Sequence, residues 1–322
     1  MNFTTNERGG ADGFCLVKSV EKKTSSKGGP YLDITLSDAT GEINAKLWDY
    51  NEMLHGTYEA GDLVKVRGVI SKYNGADQMK IEKIRKATES DGIDPGDFVE
   101  QASETGEKMF GELIKLAEEF ENEAIRALTL KLYNDNKERL LYWPAAFKLH
   151  HAIRSGLLMH TLSIVRMCES VAAIYPSVNR DLLICGAMLH DIGKLREFDV
   201  NTLGTANGYT TEGNLIGHLV KGAMMVEKAA EELGTDDKTA MMIEHMIISH
   251  HGEPEFGAAV RPSFIEAEIL SSLDKLDAAI YEMEDAVKST APEDFSARLW
   301  ALDNRKLYNH ALGEVTTDVH LF

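Results

Sequence analysis

An N-terminal all-β barrel followed by an all-α helical bundle is the fold class that this 322-residue sequence predicts. Three observations carry the prediction. From Phe14 to Ile84 apolar residues alternate with polar ones between turn clusters, the period of half-buried strands. From Glu107 onward the apolar period becomes that of a helix, and no further strand is convincing. Between the two, Ser90–Asp97 (SDGIDPGD) breaks both periods with Gly, Pro and three aspartates. The chain therefore divides into a flexible N-terminal tail (1–13), a β-domain (14–89), a linker (90–106) and an α-helical domain with a C-terminal extension (107–322).

In the β-domain, Phe14–Val20 is largely apolar and leads to the turn cluster Ser25–Pro30. Tyr31–Leu36 alternates with period two, and Asp38–Gly41 turns the chain into Glu42–Trp48. Asp49–Tyr58 reads as a short helical connection, Asp62–Ile70 as the fourth strand, Asn74-Gly75 as a hairpin turn and Gln78–Ile84 as the fifth strand. Five strands with a helix between the third and fourth is the order of an OB-fold barrel. In the helical half, Glu107–Leu141 is continuously amphipathic, and helical periodicity continues to Val287.

Charge and composition narrow the function classes. The net charge of −18 lies entirely in residues 90–322, whereas residues 14–89 carry +1. Phosphate affinity comes from Lys and Arg, so any nucleic-acid contact is expected in the front domain. Its candidates are the aromatics Tyr31, Trp48 and Tyr73, with Lys46 and with Lys22, Lys23, Lys27, Lys72 and Lys80 around them; stacked rings and backbone-holding cations are what a single strand needs. The competing reading makes Tyr31 and Trp48 barrel packing and the lysines a solvated rim. Cys15, Cys168 and Cys185 are odd in number and lack metal-site spacing, and they read as buried thiols of a reducing cytoplasm. No basic-then-apolar leader opens the chain, and no apolar run approaches the roughly 20 residues that span a bilayer, so a cytoplasmic protein without a membrane partner is expected.

The chemistry concentrates in the helical half, where most of the histidines lie between His150 and His251. His190-Asp191 ends an apolar helical run, with Gly193 read as its C-terminal stop. Burying an imidazole and a carboxylate together is costly without a partner, and a divalent cation is the natural one. His160, His218, the His250-His251 pair and Asp274 sit in similarly apolar stretches, with Asp277 one turn further as a second choice for the carboxylate. In regular helix, His250 and His251 would diverge by about 100° and reach different sides of a metal pair. His151, Arg154, Lys194 and Arg261 are the groups set around a substrate phosphate, against the plain alternative of surface salt bridges.

The set His160, His190-Asp191 and Asp274 resembles the HD superfamily of metal-dependent phosphohydrolases. His218, His250 and His251 resemble the additional ligands of its two-metal members. Lys194 matches a lysine often found after the pair. The segments Asp38–Ile43, Lys46–Asp49 and Gly61–Gly68 resemble OB domains that bind single strands. Together the halves resemble the YhaM family of bacterial 3′→5′ exoribonucleases over residues 14–308, through Lys46–Asp49, Leu189–Lys194, Glu212–His218, Ser249–Gly252, Val260–Pro262 and Ala301–Arg305. The resemblance implies release of 5′-mononucleotides from single-stranded RNA or DNA with a free 3′ end. It implies divalent metal ions, two in number, manganese first and cobalt, iron, magnesium or zinc as alternatives. Asp191, Lys194 and His151 would be the catalytic groups; a homo-oligomer stays open. The rival readings are a hydrolase of free nucleotides or cyclic dinucleotides with a regulatory OB domain, and a non-catalytic single-strand binder.

Overall fold

In the computed structural model, the alternating segments of the front half close into a barrel. The structure describes residues 1–313 apart from 2, 6–8, 27, 94, 100, 148–152 and 202. Two units are present, Met1–Glu100 and Gln101–Phe322.

The first unit contains β1 (Thr4–Thr5), β2 (Gly10–Thr24), β3 (Pro30–Asp38), β4 (Gly41–Leu47), helix α1 (Glu52–His55), β5 (Leu63–Tyr73) and β6 (Ala76–Lys86). The order β1-β2-β3-β4-β6-β5 closes through a further β2–β5 pairing, with β4 and β6 parallel. Period two puts Leu32, Ile34 and Leu36 of β3, and Ile43, Ala45 and Leu47 of β4, inside with Val64, Val66, Met79 and Ile81. β2 starts at Gly10, not Phe14: residues 10–13 pair with β5, and Thr4 and Thr5 pair with β2, so the expected flexible tail is partly barrel strand.

The second unit contains α2 (Gly106–Glu118), α3 (Glu123–Asp135), α4 (Lys137–Leu140), α5 (Gly156–Ile174), α6 (Arg180–Leu189), α7 (Lys194–Glu197), α8 (Thr211–Leu233), α9 (Asp237–Ser249) and α10 (Ile265–Lys288). The stretch read as one amphipathic run is three helices, because Asn122 caps α3 by accepting from the Ala124 and Ile125 N–H groups. A two-stranded hairpin, β7 (Phe198–Val200) and β8 (Ala206–Tyr209), interrupts the helical series; strands this short leave no period to read. By length and composition α5 is apolar enough to cross a membrane, contrary to the sequence expectation. Its apolarity has a packing cause, since Leu157, Leu158, Leu162, Ile164, Val165 and Cys168 are all buried in the helical core. All three cysteines are buried, and burial pushes each thiol up to about 12.

Candidate metal centre and nucleic-acid face

Five helical elements bring the imidazoles and carboxylates to one place. His160 projects from the second turn of α5 into the core, 1% exposed. His190 caps α6, and Asp191 follows it, both buried. Gly193 is not the left-handed stop that the sequence suggested: its φ of −64° is helical. Glycine is needed there for space, because a Cβ would lie 2.0 Å from the carbonyl oxygen of His218.

That close approach sets His218. α8 breaks at Gly217, whose φ of 74° favours glycine, so His218 opens the second part of the helix. Glu197, at the end of α7, accepts from both the His218 backbone N–H at 3.2 Å and its Nδ1 at 3.0 Å. α9 ends at Ser249 with His250 as its C-cap, still in helical φ/ψ, and the His250 and His251 rings lie 4.5 Å apart. The two do not reach different sides of a metal pair as expected: His218, His250 and His251 form one donor group. Asp274 joins from α10 and lies 3.2 Å from His160 Nε2.

Asp191 stands between two donor groups. Its Oδ2 lies 3.3 Å from His190 Nε2 and 3.6 Å from His160 Nε2. Its Oδ1 lies 3.6 Å from His218 Nε2 and 3.7 Å from His250 Nε2. Every ring is held by its other nitrogen. Nδ1 meets Asp277 at 2.7 Å in His160, the Ala187 carbonyl at 2.8 Å in His190, the Ile247 carbonyl at 2.8 Å in His250 and the Phe256 carbonyl at 2.8 Å in His251. Ser163 also donates to Asp277. This is how ligating histidines are ordinarily fixed, with an outer partner choosing the tautomer and turning Nε2 toward the metal.

Two buried atoms test the fit of a cation. Among the described residues Asp191 Oδ1 and His218 Nε2 have no hydrogen-bond partner, a costly state for buried polar atoms that a metal ion would relieve. Donors 3.2–3.7 Å apart suit ions bound at about 2.0–2.2 Å from each ligand. Burial opposes charge on His160, but Asp274 and Asp277 outweigh it and raise its pKa to about 10. Burial holds His250 well below its ordinary value and lowers His251, so both imidazoles are neutral, the form that a metal ion takes. Burial opposes ionisation of Asp191, yet Lys194 and His190 keep it ionised. Lys194 Nζ lies 2.7 Å from Asp191 Oδ2, and that carboxylate keeps the buried ammonium charged against its own desolvation.

The remaining sequence candidates are distributed differently. Arg154 lies with its guanidinium 5.6 Å from the Tyr142 ring centroid. Arg261 is exposed and forms a surface ion pair with Glu253 at 2.6 Å. His151 falls outside the described residues, as does Lys27. Sequence reasoning did not single out Glu197, and it named Asp277 as an alternative ligand when its position is that of the group orienting His160. The i+3 spacing from Asp274 was the available signal for Asp277; Glu197 offered none.

On the barrel, Tyr31 and Trp48 come together with ring centroids 4.6 Å apart, and Trp48 is 40% exposed. Lys46 lies 5.3 Å from the Tyr31 ring centroid and 2.8 Å from Asp33, which also takes Lys23 at 2.8 Å. Asn44 donates to Asp33, and Gln78 donates to Asn44. Tyr73 is exposed at the β5–β6 hairpin, away from this pair in the register. Lys22 packs toward Tyr50, and Lys72 pairs with Asp77.

Comparison with known proteins agrees with both halves. A family profile described as an HD domain matches residues 157–279, and one described as an OB-fold nucleic acid binding domain matches residues 16–87. The HD match carries divalent-metal dependence with it. The chain is 41% identical to the 3′-5′ exoribonuclease YhaM of Listeria monocytogenes over 309 residues, covering 96% of this chain and 97% of that one. It is 39% identical to the protein of that name in Bacillus licheniformis, covering 92% and 94%. The second OB-fold domain of replication protein A from Methanococcus maripaludis aligns at 21% identity over 23% of this chain and 80% of that one, with a TM-score of 0.20.

Proposed function

This chain belongs to the YhaM family of 3′→5′ exoribonucleases, and from that premise we propose that it removes 5′-mononucleotides from the free 3′ end of single-stranded RNA with two divalent ions held on either side of Asp191. The observation that carries the reading is the division of that one carboxylate, with Oδ2 toward His160 and His190 and Oδ1 toward His218 and His250. Asp274 would complete the first group and His251 the second. Ions bound there acidify water and neutralise charge building on the phosphodiester.

The chain's own residues prepare that chemistry. Asp277 and Glu197 fix two imidazoles so that Nε2 faces the cluster, and three backbone carbonyls fix the others. The buried Lys194 ammonium, held by Asp191, is positioned to stabilise charge on phosphoryl oxygen. Tyr31 and Trp48 supply a platform on which a base stacks, with Lys46 beside it. Manganese is the ion that the family resemblance puts first; cobalt, iron, magnesium and zinc are the alternatives, and the imidazole donors suit iron, cobalt and zinc as well.

Metal analysis of the purified protein, paired with hydrolysis of 3′-labelled RNA carrying a free or blocked 3′ hydroxyl, tests the reading. Two ions per chain and release of mononucleotides from the free end alone are expected. Hydrolysis of free nucleotides or cyclic dinucleotides with intact oligomers left over would overturn it.

A further inference from the structure

Beyond α10 the chain folds back as a hairpin arm, residues 293–309. Ser296 N–H donates to the Leu307 carbonyl at 2.8 Å, Leu299 N–H to the Arg305 carbonyl at 3.0 Å, and Asn309 N–H to the Asp294 carbonyl at 2.9 Å. Asn309 Nδ2 ties the arm to the Thr290 carbonyl at 2.8 Å, and Ser296 and Leu302 are buried in it. The arm is thus a built element whose surface is defined.

Its surface differs from the rest of the acidic unit. Trp300 is 72% exposed, Phe295 57% and Tyr308 48%, and the last two rings lie 5.0 Å apart. Arg298, Arg305 and Lys306 share the arm and are all exposed. Among the described residues none of these three forms an ion pair; Arg298 and Arg305 donate to the carbonyls of Asn304 and Leu302. Elsewhere in the unit, Lys131, Arg166, Arg180 and Arg261 are each matched by a carboxylate, whereas Arg139 and Arg196, like the arm's cations, form no ion pair among the described residues. Glu293 and Asp294 lie at the base of the arm and Asp303 at its turn.

We propose that this arm is a second contact for single-stranded nucleic acid, holding the strand upstream of the nucleotide being removed; the proposal rests on the exonuclease reading above. Exposed aromatic faces stack bases whatever their identity, and unmatched guanidinium and ammonium groups suit a polyanion in a unit that otherwise repels one. The arm follows the end of the helix that carries Asp274. At about 1.5 Å per residue, the helix between Asp274 and Lys288 spans about 20 Å, or about six stacked nucleotides at ~3.4 Å each. That length sets the scale on which the arm would meet a long substrate and miss a short one.

The test compares full-length wild type with Trp300→Ala, and separately with Arg305→Gln/Lys306→Gln, on single-stranded RNA of about 4 and about 20 nucleotides, lengths on either side of that span. For the long oligomer KM should rise roughly tenfold, the effect of losing one stacked base, with kcat unchanged. Both parameters should stay unchanged for the short one. Equal changes on both lengths, or none on either, overturn the proposal. So does a change of oligomeric state in Trp300→Ala measured by light scattering, which would make the arm a contact with a second copy. If wild type releases nothing from either oligomer, the exonuclease reading falls first and the arm proposal with it.

Discussion

The barrel and the helical unit satisfy their polar groups in opposite ways. On the barrel face the charges around Asp33 are matched: Asp33 takes Lys23 and Lys46, and the amides of Asn44 and Gln78 link onward from it. In the helical unit, Asp191 Oδ1 and His218 Nε2 are buried with no hydrogen-bond partner among the described residues, although the outer side of the His218 ring is engaged by Glu197. The first arrangement is complete without a ligand and can be perturbed piece by piece. The second is incomplete until a cation arrives, so its members should fail together. Substitutions in the two regions ought therefore to differ in size and in kind.

Asp191→Asn should give the largest effect. It removes charge from both donor groups at once, and we expect hydrolysis to fall by roughly a thousandfold or more, the several kcal/mol that metal stabilisation of the transition state supplies. Binding of a single-stranded oligomer, measured by fluorescence anisotropy, should stay nearly unchanged. A parallel loss of binding would merge the two regions into one functional surface and break the contrast. Next come Glu197→Gln and Asp277→Asn, which keep the ligands and loosen their orientation. Either should lower metal affinity or activity by about 10–100-fold, read by titration of the apo-protein with manganese. Activity returning fully at saturating manganese would identify a role in affinity alone.

The two regions were also unequally legible in the sequence. The barrel declared itself through Leu32, Ile34 and Leu36 and the facing Ile43, Ala45 and Leu47, because period two is a local property. Its first strand begins earlier than the alternation shows, since Gly10–Gly13 reads as part of the flexible tail and becomes strand by pairing with β5. The donor set of the helical unit could be named from residue type and apolar context, as His160, His190, Asp191, His218, His250, His251 and Asp274. The geometry between those residues could not. Gly193 carried a capping signal, and its actual reason, room for the His218 carbonyl, depends on a helix that lies further along the chain. Glu197 had no signal because its role exists only once Gly217 has turned His218 toward it.

On the barrel the expected effects are smaller. Trp48→Ala removes one stacking face and should weaken oligomer binding by roughly tenfold, about 1–3 kcal/mol per stacked base. The metal content and the hydrolysis of a short substrate should not move. A Trp48 variant that bound normally would return Tyr31 and Trp48 to barrel packing and leave recognition to other groups.

The smallest effect concerns stability, and its sign follows from Asp33. Burial pushes its pKa up, but hydrogen bonds from Lys23, Lys46 and Asn44 outweigh burial and hold it well below the usual carboxylate range. A folded-state pKa below the unfolded value of about 3.9 means the unfolded chain binds the proton more readily. The stabilisation is therefore full at neutral pH and is lost as pH falls below about 4 toward the folded value. Asp33→Asn should lower the melting temperature at pH 7, and the gap from wild type should close on acidification. A gap of constant size across that range would mean that Asp33 contributes through its shape and amide contacts, and that the charges gathered around it add nothing to the barrel.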